Sequence, residues 1–315
     1  MTAAIEKKRA ILAKIESVYG TDPSATGAAN AVLARITGWR PQEVVYAGRE
    51  DIAIPALGRF ASKTSVQRAE IDLEIEITGA SAAGTAPPYG PILRACGLAE
   101  TVGSPPDNCI YAPISASHES AAIYANIDGI QQKLLGVRGS VALVFRNDEL
   151  PFYRFRGVGL YALPTDTSLP TLTLSAHQAP VPVNRTNSTI TSLHSYTVGI
   201  QELEVDMGND VQYVDFPNGT QAVLIVNRAP SGRITIEHPT LAQKDYHSIV
   251  TSGATGTLQV RHTGGAAGKV LTLTASQVRL TNPQVGAVKG VRTLALGLEF
   301  APSNSFNDEF SITYS

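Results

Sequence analysis

The stretch AEIDLEIEITG, residues 69–79, alternates without a break. Ile71, Leu73, Ile75 and Ile77 take the odd positions and Asp72, Glu74 and Glu76 the even ones. A helix of about 3.6 residues per turn would scatter the two sets around its circumference, whereas a strand sorts them onto opposite faces. The segment reads as a strand with one face to bury and one acidic face to leave open. ELEVDM, residues 202–207, repeats the arrangement: Leu203, Val205 and Met207 stand opposite Glu202, Glu204 and Asp206. AVLIV, GRITIEH, GTLQVRH, KVLTLTA, VALVF and VRTLALGLEF are further strand candidates. With 27 Gly and 19 Pro to supply turns, the fold class is mainly β.

One segment departs from this pattern. Over residues 3–18, Ile5, Ile11, Leu12, Ile15 and Val18 fall near one face of a helix, which predicts an N-terminal helical arm. Beyond it the chain shows internal similarity. EVVYAGREDIAI…ASKTSVQRAEIDLEIEITG can be laid on LEVDMGNDVQYV…LIVNRAPSGRITIEHPT, with Gly48 over Gly208 and Arg68 over Arg228. The proline-marked stretch 164–189 separates the two copies. The expected division is an arm over 1–41, a first module over 42–164, a linker or long loop over 165–195, and a second module over 196–315.

Each acidic strand is followed by a short helix. In PPYGPILRACGL, Pro91 suits a first helical turn and Gly97 its close, so Ile92, Leu93, Cys96 and Leu98 can cover one sheet face. In HPTLAQKDYHSIV the corresponding docking residues are Tyr246 and Ile249. No cysteine recurs there, so Cys96 reads as packing and not as a reactive thiol.

Chemistry is sparse. Cys96 and Cys109 form no disulfide framework or metal spacing, and the six histidines lack H-x-x-x-H or C-x-x-C companions. GGAAGKV, residues 264–270, has the wrong spacing for a phosphate loop and Val270 where Ser or Thr should hold magnesium. There is no G-x-S-x-G elbow. No cofactor, metal or catalytic residue is expected. The N-terminal residues mix charge into their apolar positions, unlike a signal peptide, and no apolar run reaches the roughly 18 residues of a membrane span. Synthesis and assembly in a cytoplasm, with no membrane partner, is the expectation. The formal charge of −2 offers no basic surplus for tight nucleic-acid binding. Paired carboxylates could serve a glycosidase, but here they form stripes and the chain has one tryptophan, Trp39. The acidic face is either a solvated sheet face or one turned toward a polyanion that must not stick.

The segments ESVYGTDPSATGAANAVL (16–33), AEIDLEIEITG…APPYGPILRACGLAET (69–101), APSGRITIEHPTLAQKDYHSIV (229–250), QVRLTNP (277–283) and LALGLEFAPSNSFNDEFSI (294–312) resemble the major tail (tail tube) proteins of long-tailed bacteriophages. The resemblance implies two tandem tail-tube-type β-sandwich or barrel modules, each with a short flanking helix. It implies a structural virion protein and no enzyme. Copies join edge to edge into rings, and stacked rings form a hollow tube. Twenty-four strands spaced ~4.8 Å and tilted ~40° give a bore of roughly 45–50 Å between backbones. Asp72, Glu74, Glu76, Glu202, Glu204 and Asp206 become lumen candidates, because carboxylates repel phosphate where clustered Lys or Arg would hold it. Implied partners are further copies of the chain, a tape-measure protein, terminator and baseplate adaptor proteins, and double-stranded DNA in passage. With two modules per chain, three chains close a ring; six single-module chains are the family's other arrangement, and the choice between trimeric and hexameric rings stays open. Another tail component of the same fold, a terminator or baseplate ring, is the alternative, and a carbohydrate-active or carbohydrate-binding β-sandwich is a further one.

Overall fold

The computed structural model describes residues 5–49, 52–104, 107–263 and 267–315. Its strands are β1 (Arg9–Ile15), β2 (Ala31–Val32), β3 (Ala34–Ala47), β4 (Lys63–Glu76), β5 (Leu98–Ser104), β6 (Asn108–Pro113), β7 (Ala121–Ile127), β8 (Ile130–Arg146), β9 (Phe152–Tyr161) and β10 (Thr165–Asp166), with helix α1 (Gly90–Ala95) between β4 and β5. There follow β11 (Ser188–Leu193), β12 (Tyr196–Thr197), β13 (Ile200–Asp206), β14 (Asn209–Asp215), β15 (Gln221–Arg228), β16 (Ser231–Glu237), α2 (Tyr246–Ser252), β17 (Thr255–Thr263), β18 (Val270–Val288), β19 (Val291–Phe300) and β20 (Ser311–Tyr314). The chain is mainly β, and every strand candidate named from the sequence lies within one of these elements or passes its end by one to three residues.

Two runs of strands follow the same antiparallel pairing order. In the first half it is β1-β7-β8-β9-β4-β3. In the second it is β11-β17-β18-β19-β16-β13. β8 is long enough to serve two neighbours on one side. Its first half pairs with β7, and residues 142–146 pair with β13, from Glu202 opposite Arg146 to Asp206 opposite Ala142. That joint makes one continuous sheet, β3-β4-β9-β8-β13-β16-β19-β18. The C-terminal strand β20 lies between β18 and β6 and so ties the last residues back to the first half. Its Tyr314 hydroxyl meets those of Tyr89 and Tyr153 inside the core, at 3.1 and 2.7 Å. Buried hydroxyls need such partners.

The N-terminal helix expectation is corrected. Residues 9–15 are a strand, hydrogen-bonded to β7 on one side and β2 on the other. Ala10, Ile11, Leu12 and Ala13 are all buried, whereas Ile5 and Val18, needed for the helical stripe, are exposed. A four-residue apolar run buried on both faces carries no period of two, and alone it cannot be told from a helix. The stretch 165–195 is not featureless either. It contains β10 and β11, and its Val183 is buried, exchanging backbone hydrogen bonds with the 148–149 turn.

Two buried histidines sit at the seams. His262 lies edge-on to Phe145, its Nε2 donating to Val181 O at 3.2 Å while Ser188 Oγ donates to Nδ1 at 3.1 Å. His194 Nε2 donates to Val278 O at 2.9 Å. Burial lowers both pKa values from the ordinary 6.5. The unfolded chain therefore takes up these protons more readily than the folded one, and stability present above that pH is lost below it. The melting temperature should fall as pH drops from about 6.5 to about 5, and H194Q/H262Q should flatten that limb. An unchanged slope in the double variant would show that other groups carry the effect.

Candidate functional site

Residues directly opposite one another in a sheet share a face, so the register locates every acid named from the sequence. Asp72 stands opposite Arg156, Glu74 opposite Arg154 and Glu76 opposite Phe152. β8 continues these rows with Ser140, Ala142 and Val144. Across the joint, Asp206 lies opposite Ala142, Glu204 opposite Val144 and Glu202 opposite Arg146. Two rows thus run unbroken, Glu74–Arg154–Ala142–Asp206 and Glu76–Phe152–Val144–Glu204. All six acids occupy one face, contributed by strands from both halves. The opposite face carries Ile71, Leu73, Ile75, Leu203 and Val205, each at most 4% exposed. A trough crosses part of the charged face from β3 to β13, between Arg40, Asp72, Arg156 and Asp206, with Asn209 and Val211 of β14 on its border.

The acids are not a bare stripe. Arg35 on β3 pairs with Glu74 at 2.8 Å, Arg146 with Glu202 at 2.9 Å, and Arg154 reaches across β8 to Glu204. Asp206 accepts from Gly208 N at 2.8 Å and from Ser140 Oγ at 3.2 Å. Asp72 packs against Gly38, where a Cβ would lie 2.3 Å from Oδ2. Farther along, Arg68 and Arg40 both reach Glu70. Burial, then the neighbouring Glu43 carboxylate, raises the Glu70 pKa, and the Glu202 carboxylate holds the Arg146 guanidinium above its ordinary value. Pairs this exposed contribute about 0–1 kcal/mol each, so their main consequence is a charge pattern and not stability. Sequence reading missed these arginines, although FYRFRGVG sets Arg154 and Arg156 at the same period of two as the acids.

No group of His, Cys, Asp and Glu among the described residues has the geometry of a metal site. The face carries charges of both signs in repeating rows contributed by both halves of the chain. A family model described as phage tail tube protein matches residues 7–302. The chain belongs to the phage tail tube protein family. It is a structural component of the virion tail, where family members self-assemble into a tube with other tail components. No curated protein matches the sequence.

In this tail tube protein the two short helices differ in how firmly they are seated. Pro91 lies in the first turn of α1, and Ile92, Leu93 and Cys96 are fully enclosed. Leu98 is also buried but begins β5 and is not part of the helix. Arg94 clamps the helix with two bonds to Glu119. Burial pushes the Cys96 thiol well above its ordinary value and Cys109 up to about 11, which leaves neither as a ready thiolate. α2 is capped by Asp245, which accepts from Ser248 N, and closed by Gly253 in the left-handed region. Tyr246 is buried, donating to Leu193 O at 3.2 Å, while Ile249 is half-buried.

Proposed function

We propose that the chain polymerises as stacked rings into a phage tail tube whose bore conducts DNA. In this reading residues 42–164 and 196–315 hold most of two tube modules, to which β1 and the start of β3 are added from 1–41 and β11 from 165–195. Three chains supply the 24 strands of one ring, and the charged face lines the bore. One observation supports the reading: strands from both halves of the chain build a single sheet whose register sets every candidate acid on one face. Duplex DNA slides past because Arg35, Arg40, Arg146 and Arg154 are occupied by carboxylates from the same wall, with Arg156 left exposed between them. Few are free to exchange with phosphate and release counterions. Tape-measure, terminator and baseplate adaptor proteins are the proposed partners at the tube's core and ends.

Negative-stain microscopy of the purified protein tests this. Rings or tubes with a central hole are expected, and persistent compact monomers would overturn the reading. E74K/E204K should leave rings intact yet impair DNA delivery. Each change removes a carboxylate and also frees Arg35 or Arg154, so the wall acquires several phosphate-binding cations at once. Unaltered infectivity would remove these residues from the lumen.

A further inference from the structure

The continuous sheet ends in two strands that lack an outer neighbour. Among the described residues β3 pairs only with β4. β18 pairs with β17 through Arg279, but beyond that its residues 280–288 have β19 alone. An open edge of this length is a template for another strand. The joint inside the chain shows what such a strand looks like. β8 and β18 hold the same place in their runs, as do β13 and β3; the edges of β8 and β13 fill each other, and among the described residues those of β3 and of β18 beyond Arg279 stay open.

The register follows from the sheet itself. Glu76 and Glu237 both end their strands, β4 and β16, and face Phe152 and Thr293 on the next strand. Those residues face Val144 and Gly286, which makes Gly286 the counterpart of Val144. On the other side of the joint, Glu204 opposite Val144 also faces Arg233. Counted back from the two strand ends, Arg233 corresponds to Asp72, and Asp72 faces Gly38. Gly38 is therefore the counterpart of Glu204. Placing Gly38 opposite Gly286, with Thr37 taken up by the bulge between Ile36 and Gly38, sets Arg35 on Val288, Ile36 on Ala287, Trp39 on Val285 and Arg40 on Gln284.

We propose that β3 of one copy adds to residues 284–288 of β18 in a second copy in this register, so that each copy repeats between chains the joint it contains within itself. The proposal rests on the ring-forming reading and specifies its contact. The apolar pairs agree with it. Val205 and Leu143 are buried in the internal joint, whereas their counterparts Trp39 and Val285 are half-covered and 52% exposed. A second feature also lacks its seat. Past β13 the chain breaks at Gly208, and the hairpin β14–β15 lies over β8, with Asn209 Nδ2 donating to Gly139 O and Arg138 to Val223 O. Past Arg40 the register of β3 also shifts, but the far part of the β3–β4 hairpin projects with Val45 and Tyr46 exposed. A neighbouring second half would offer it the surface that β8 offers β14–β15. The contact is head-to-tail, as a closed ring requires.

Cysteine pairing tests the register on the full chain, since native Cys96 and Cys109 are enclosed. R35C/V288C alters two positions outside the core, and W39C/V285C probes the apolar pair. R35C/G286C, displaced by two residues on the same face, is the control. Under a mild oxidant the two matched variants should convert to covalent multimers while the displaced control remains largely uncrosslinked. Rings visible by microscopy with no preference for the matched pairs would overturn the contact and leave the ring reading standing. Absence of rings from the unmodified protein would instead overturn both.

Discussion

Gly139→Val is expected to cost about 3 kcal/mol or more, enough to take a domain of ordinary stability to the edge of unfolding. Gly139 on β8 faces Gly157 on β9, and the Phe155 ring fills the space both leave. A Cβ at Gly139 would sit 2.3 Å from Arg156 O and 2.5 Å from Phe155 Cε2. The ring could swing away at the cost of core packing, but the carbonyl belongs to the adjacent strand and can move only by opening the ladder. β8 is also the strand on which the two halves meet, so damage there spreads into β13. Thermal unfolding checks the expectation against Gly48→Ala, which has ordinary backbone angles and nothing within 4 Å of a new Cβ and should change stability by less than about 0.5 kcal/mol. Equal melting temperatures for the two variants would refute the close approach.

How much of this was legible in the sequence depended on whether a strand had one wet face. β4 and β13 were readable at sight, because acids alternate with aliphatics and only a half-buried strand needs that pattern. β1 was not, because a strand enclosed on both faces writes AILA, which a helix could equally use. The internal overlay had a subtler fault. Setting Arg68 on Arg228 lays buried Ile71 on exposed Ser231. The strand ends instead match Glu76 with Glu237, one residue away, and a slip of one exchanges the two faces of a strand. Arg154 and Arg156 were overlooked for a different reason. Their strand was not recognised in full, and charges of both signs on one face become visible only once the register joins β4 to β9. The joint between β8 and β13 was beyond sequence reading, since nothing local to either strand names a partner some 60 residues away.

The second large effect concerns the ion pair that anchors the β14–β15 hairpin. Arg228 closes β15 and gives Nη2 to Glu309 Oε1 at 2.7 Å and Nη1 to Ile114 O at 2.7 Å, both charged side chains being only 10% exposed. This one guanidinium joins the hairpin, the turn after β6 and the segment before β20. Arg228→Met keeps the length of the side chain but strands a carboxylate in a place water hardly reaches, and should cost about 3–5 kcal/mol. Glu309→Gln alone should cost less, because Arg228 retains Ile114 O and the Asn307 carboxamide oxygen, 3.2 Å away. The double variant should then be more stable than Arg228→Met, since no buried charge is left without its partner. Urea unfolding of the three variants measures the coupling, and strictly additive losses would show that the pair is not the anchor. Limited proteolysis supplies an independent reading. In Arg228→Met, cleavage should begin at the exposed hairpin tip near Phe216, whereas resistance there would mean that the contacts of Asn209 and Arg138 hold the hairpin in place without it.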